Sequence, residues 1–220
     1  MVRYALIPEP FRSICDRWAK QLQQINDRNS RMHYIKQELP GLLEKKSIFY
    51  EILEKLCAGD PYPDIRYAGV FDNELMLYLD KSRRFSIRMY IYNPSEYTWI
   101  HDHNSWGVIG TPFGSLEVIG YDRLDNGEKE SQAKLIVAKR KILNPGEVEI
   151  ALPLNDGIHQ TGNPTSKTII MICVYGTPLR RLYIQRYDDK AQTVCKVYPP
   201  RIHRKRVAKM ALDSFSQSKY

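Results

Sequence analysis

Arg84-Phe-Ser-Ile-Arg88-Met-Tyr-Ile-Tyr92 sets the reading of this chain. Phe85, Ile87, Met89 and Ile91 fall on one side of an extended strand and Ser86, Arg88, Tyr90 and Tyr92 on the other, because successive side chains of a strand alternate between its faces. The two-residue period begins at about residue 64. Further short strands are predicted over 116–121, 133–138, 148–152, 168–175 and 182–187. Asn93-Pro94, Asn126-Gly127, Asn144-Pro145-Gly146 and Asn163-Pro164 stand between them, residue types that favour turns. Many short strands at this spacing predict an antiparallel barrel of the jelly-roll kind, with closed edges and one mouth open for a site.

Upstream the period changes. Phe11, Ile14, Trp18, Leu22 and Ile25 recur at three- and four-residue intervals, as do Ile48, Phe49, Ile52, Leu53 and Leu56. A middle helical segment around Tyr34, Ile35 and Leu39 is expected to stop before Pro40-Gly41. These are packing helices, and His33 within them has no partner motif. The chain therefore reads as one mainly β domain over residues 1–220: a helical segment at about 7–57, a barrel at about 64–198 and a basic tail at 201–220.

The formal charge is +8, but the tail alone holds Arg201, Arg204, Lys205, Arg206, Lys209 and Lys219 against Asp213, a local excess of +5. With no nucleic-acid module in the sequence, this is read as a solvated terminal helix or frayed tail, and no nucleic-acid partner is expected. No apolar run is long enough to span a bilayer and no basic-then-apolar start is present, so a cytoplasmic protein without a membrane partner is expected, either a monomer or a small homo-oligomer. Cys15, Cys57, Cys173 and Cys195 form no Cys-x-x-Cys pair and are read as free thiols. Gly107, Gly110 and Gly114 make no phosphate-binding loop; tight turns or close backbone approach are their expected use.

Chemistry concentrates in the histidines. Three of the five fall in two contexts: His101-Asp102-His103, and His159, which lies 56 residues beyond His103. On a strand, His101 and His103 present both imidazoles to one side while Asp102 points away. No acidic residue follows His103 until Glu117, so the expected shell is three neutral imidazoles. Such a shell suits iron, nickel, copper or zinc and leaves positions open for other ligands.

His101-Asp-His-Asn-Ser-Trp-Gly-Val-Ile-Gly110, the preceding Arg84-Phe-Ser-Ile and the later Val174-Tyr175-Gly176 resemble the thiol dioxygenases of the cupin superfamily, bacterial cysteine and 3-mercaptopropionate dioxygenases, the latter most closely. The resemblance extends weakly over residues 10–198 and is specific mainly at 84–110 and 145–181. It implies a cupin jelly-roll barrel with N-terminal helices packed outside it, and Fe(II) held by His101, His103 and His159. The implied activity converts a small thiol carboxylate and dioxygen to a sulfinic acid, with Tyr175 beside the iron. The chain also departs from the family. Met171 and Cys173 stand where a serine and a histidine usually complete a relay to the tyrosine, and Gly107 lies near the position of a cross-linking cysteine in animal relatives, so no such cross-link is expected. The residues 73–78 offer no arginine for the substrate carboxylate. Arg180 and Arg181, which resemble an arginine pair of the mercaptopropionate branch, are candidates for that role, with Arg88 as a further one and Trp106 as a lid or pocket wall. A non-enzymatic metal-binding sensor and a cupin enzyme acting on another small metabolite are the competing readings.

Overall fold

The structure is a computed structural model that describes residues 7–59 and 70–217, with side chains to residue 213. Residues 64–69, where the two-residue period begins, and Lys219 lie outside the described residues.

Three helices lead the chain: α1 (Glu9–Gln24), α2 (Arg28–Leu43) and α3 (Lys46–Cys57). In α1 the buried residues Phe11, Cys15, Trp18 and Leu22 recur at helical spacing and form one apolar stripe. α2 is started by Asp27, whose carboxylate accepts the Ser30 backbone N–H at 2.8 Å, a cap that contributes about 1 kcal/mol. The expected stop before Pro40 is not observed, because α2 continues through Pro40 and Gly41. Interior proline costs a helix about 3 kcal/mol. Continuing buries Leu42 and Leu43 almost completely, and each such side chain contributes roughly 1.5–3 kcal/mol, so packing overrides the local signal.

Eleven strands follow among the described residues: β1 (Glu74–Leu79), β2 (Phe85–Tyr92), β3 (Ile100–His101), β4 (Gly107–Phe113), β5 (Leu116–Arg123), β6 (Leu135–Leu143), β7 (Val148–Ala151), β8 (His159–Gly162), β9 (Ile169–Gly176), β10 (Ile184–Asp188) and β11 (Thr193–Val197). All named pairings are antiparallel. One sheet has the order β1-β2-β9-β4-β7 and the other β11-β10-β3-β8-β5-β6. Strands β2 to β9 thus cross repeatedly between the two sheets, the winding of a jelly roll.

β2 shows how the two layers are filled. Its apolar face, Phe85, Ile87 and Met89, joins Trp18, Leu39 and Phe49 in a core between the first sheet and the helices. Its other face enters the barrel, where Tyr90 and Tyr92 pack with Ile109, Val118, Met171 and Cys173. The helices therefore cover the outside of one sheet, and the polar alternates of β2 line the interior. β6 is exposed along most of its length at the edge of the second sheet, and Lys139, Arg140 and Lys141 on it discourage pairing with another strand. The basic tail forms a largely exposed helix, α4 (Pro200–Gln217). No described helix is long and apolar enough to cross a membrane. All four cysteines are free thiols, Cys15 and Cys173 buried and Cys57 and Cys195 exposed.

Candidate metal centre and its surroundings

Backbone pairing brings the separated histidines together. β3 pairs with β8 so that His101 faces His159, and His103 lies just beyond the end of β3. The nitrogens that each residue offers lie within 4.8 Å of one another, and all three residues are buried. The Nε2 atoms of His103 and His159 are 2.9 Å apart, within hydrogen-bond distance. His101 donates from Nδ1 to the Trp99 carbonyl at 2.8 Å; a carbonyl only accepts, so this bond leaves Nε2 unprotonated and available.

Burial pushes His101 down to about 4, and burial together with the neighbouring cationic groups holds His103 and His159 well below the usual histidine range. All three are neutral donors at physiological pH, which is the form a metal requires. Phe71 and Trp99 pack against His101 with ring centroids 4.8 and 5.3 Å away and shield one side of the cluster. The donor set fits a divalent transition metal.

Neutral burial has a cost in acid. An unfolded histidine takes up its proton near 6.5 while folded His101 waits until about 4, so the unfolded chain binds the extra proton between those values. The metal-free protein is expected to lose about 3 kcal/mol from His101 alone as pH falls through that window, with no further gain from this residue at higher pH. Urea unfolding of the metal-free protein at stepped pH reads this directly, and a flat profile from 6.5 to 4 contradicts it.

Asp102 points away from the histidines, as the alternation predicts. It is fully buried, and Arg181 clasps it with two hydrogen bonds of 2.7 and 2.8 Å. The Gln185 N–H donates to the same carboxylate at 2.7 Å, and Arg181 Nε reaches Asn104 Oδ1 at 2.5 Å. This clamp ties the histidine-bearing loop to the connection between β9 and β10. Arg181, expected as a contact for a substrate carboxylate, is thus held by the protein's own Asp102. Arg180, its neighbour, is exposed. Trp106 also departs from expectation. Gly107 faces the interior, so Trp106 turns outward into the core beneath the helices, against Gly176, and does not wall the histidine-lined space.

Tyr175 and Arg88 do lie inside. The Tyr175 ring is 5.3 Å from that of His103, and the Arg88 guanidinium sits 5.2 Å from the Tyr175 ring centroid. Gly107 pairs with Tyr175 across β4 and β9; a β-carbon there would stand 3.4 Å from both the ring and Cys173 Sγ. Burial pushes the Tyr175 phenol well above its ordinary range, so it is a proton donor, and burial pushes the Cys173 thiol up to about 12.

Tyr175 has a second phenol beside it. Its hydroxyl is 3.2 Å from that of Tyr90, and Glu74 on β1 is the cross-strand partner of Tyr90. Glu74 is also ion-paired with Arg88. Burial raises the Glu74 carboxyl while Arg88 opposes the shift. A line Tyr175, Tyr90, Glu74 thus runs from the histidines to a buried acid. Sequence reasoning missed Glu74 and Tyr90 in this role; the signal was the polar face of β2, once that face was known to be the inner one. Arg88 Nε is buried without a hydrogen-bond partner among the described residues.

A cleft of about 510 Å³ reaches His159 from the seam between β6 and β7. Lys139, Glu149, Gly120 and Ala151 line it beside His159.

Two antiparallel sheets wound as a cupin-like jelly roll enclose three buried histidines that could hold a metal ion. Solved structures similar in part include a cupin-2 barrel protein from Salinispora arenicola at 18% identity, over 53% of this chain and 87% of that chain, TM-score 0.37. A cupin-2 domain-containing protein from Halorhodospira halophila matches at 19% identity over 55% and 74%, TM-score 0.41. A protein from Silicibacter pomeroyi described as a cupin sugar phosphate isomerase matches at 16% identity over 62% and 83%, TM-score 0.37. No protein-family model matches the sequence. The fold assignment rests on the strand order itself.

Proposed function

We propose that this protein is an Fe(II)-dependent thiol dioxygenase that converts a small thiol carboxylate to its sulfinic acid. The observation that carries the reading is the all-imidazole donor set with Tyr175 beside it. Three neutral ligands leave a dication's charge uncompensated, which favours an anionic sulfur over a neutral oxygen or nitrogen ligand. Bound iron would supply a site where thiolate and dioxygen meet. The reaction balances without a reductant: the thiol gains both atoms of dioxygen and becomes the sulfinic acid.

The chain's own groups orient and protect. His101, His103 and His159 would hold the metal, Phe71 and Trp99 keep water from one side of His101, and the Tyr175 hydroxyl donates a hydrogen bond toward the reacting sulfur or oxygen. Tyr90, 3.2 Å away, is placed to donate to the Tyr175 oxygen, which leaves the Tyr175 proton for the substrate. Arg88, through its unsatisfied Nε, is the arginine placed for contact with the reacting end of the substrate, while its ion pair with Glu74 keeps it from the substrate's acid group.

A metal-assisted isomerase would instead need a carboxylate base at the cavity. Glu74 is ion-paired with Arg88, Glu117 is held by Tyr97 and Arg140, and Glu147 by the Asn144 turn. Glu149 lines the cleft, but while burial works to raise its carboxyl, Lys139 and Lys141 outweigh that and hold it low, which makes it a weak base.

Oxygen uptake by the iron-loaded protein across cysteine, 3-mercaptopropionate and mercaptosuccinate tests the proposal; uptake that no thiol stimulates counts for a non-catalytic metal sensor. Tyr175→Phe is expected to keep the metal and to lower kcat roughly 10- to 100-fold, the worth of one well-placed hydrogen bond. Unchanged turnover would remove Tyr175 from the chemistry.

A further inference from the structure

The carboxylate of the proposed substrate needs a cation, and the arginines near the histidines are engaged: Arg181 by Asp102 and Arg88 by Glu74. The cleft beside His159 offers another. Gly120 on β5 is the cross-strand partner of His159 on one side and of Lys139 on the other. Paired residues of neighbouring strands project to the same face, so Lys139, Gly120 and His159 stand in a row. The middle position has no side chain, and the Lys139 stem lies in that gap. A β-carbon on Gly120 would come within 2.9 Å of Lys139 Cγ and 3.0 Å of its Cε. Glycine here is the opening that lets a lysine lean over the strand toward the histidine.

The ammonium is not firmly committed. Lys139 Nζ bonds Glu149 Oε1 at 2.8 Å, and Lys141 Nζ bonds Oε2 of the same carboxylate at 2.9 Å. Two ammonium groups share one carboxylate, so Lys139 can turn to another anion and leave Glu149 paired with Lys141. Asp122 and Asp156 also line the cleft; they are exposed, as is Lys139 with 51% of its side chain open, and solvent screens all three, so it is the lean of the Lys139 stem toward His159 that singles out the lysine. Resting on the thiol dioxygenase reading, we propose that this cleft seats the acidic group of the substrate and that Lys139 receives it, making Lys139 the residue that selects thiol acids over neutral thiols.

The test uses the full chain loaded with Co(II) under nitrogen, with thiol binding followed by the thiolate-to-cobalt absorption band. 3-Mercaptopropionate is compared with 3-mercaptopropan-1-ol, a neutral thiol of the same length. Lys139→Gln is expected to weaken binding of the acid at least about tenfold and that of the alcohol less than about twofold, whereas Lys141→Gln changes neither comparably. Gly120→Ala, which displaces the lysine stem, should reproduce the selective loss. Equal effects on both thiols, or none on the acid, overturn the proposal.

A second arm separates this from failure of the thiol reading. In the Zn(II)-loaded protein, 3-hydroxypropionate is titrated while the ring resonances of His159 are followed by NMR. A response present in the parent protein and lost in Lys139→Gln supports the acid seat even if neither thiol gives a cobalt band, in which case it is the thiol chemistry that falls. No response in the parent protein overturns the acid seat.

Discussion

His159→Ala is expected to leave a folded protein that no longer binds a stoichiometric metal ion, with affinity lowered more than about 100-fold and thiol-dependent oxygen uptake lost. The reason is geometric. His101 and His103 come from one short stretch, whereas His159 arrives on β8 and closes the donor set with Nε2 2.9 Å from that of His103. Two imidazoles without the third leave a flexible half-site, and even loss of a group that merely orients a ligand lowers metal affinity 10–100-fold. Metal content after dialysis, together with urea unfolding of the metal-free forms, separates loss of the ion from loss of the fold. A purely structural cluster predicts no stoichiometric metal in the parent protein and little change on substitution.

Arg181→Ala carries the second large expectation. Asp102 is fully buried, and its charge is met by a two-pronged guanidinium contact plus one backbone N–H. Removing one partner of such a pair leaves a buried carboxylate uncompensated, at a cost of about 3–5 kcal/mol. Because Asp102 sits between two of the histidines, the loop that carries them should loosen and metal affinity should fall as well. Arg181→Lys should recover only part of either property, since an ammonium cannot reproduce the planar fork. Urea unfolding and metal titration read the two effects. If Arg181→Ala instead leaves stability and metal affinity intact while weakening only thiol-acid binding, Arg181 is a substrate contact after all and the clamp is incidental.

The sequence made some of this visible and hid the rest for physical reasons. The alternation in β2 was legible, and so was the His101, His103 pair two residues apart, although β3 ends at His101; His159 joins them through the pairing of β3 with β8. β4 was not legible. Of the two uses expected for Gly107 and Gly110, tight turns or close backbone approach, the second holds, inside a strand: Gly107 faces Tyr175, and a β-carbon on Gly110 would lie 2.7 Å from Leu43 of α2 and from the Glu147 carbonyl. α2 ran past its proline for a similar reason, since Leu42 and Leu43 are wanted in the core. Tertiary packing decided both cases.

The site divides the same way. Tyr175 and Arg88 fell inside the barrel, while Arg181 met a protein carboxylate and Trp106 turned to the helix side. Which face of a strand is the inner one depends on where the helices pack, and no local pattern reports that. The Glu74, Tyr90, Tyr175 line and the row of Lys139, Gly120 and His159 both arise from cross-strand register, which is a property of the assembled sheets.

The central claim is that the histidine centre adds dioxygen to a thiol, and isotope tracing tests it most directly. Iron is restored to the protein without air, a thiol acid is added, and the reaction is opened to dioxygen labelled in both atoms. The account predicts a sulfinic acid carrying both label atoms, formed only with iron present and absent from His159→Ala. A disulfide product, or a sulfinic acid carrying solvent oxygen, would contradict it.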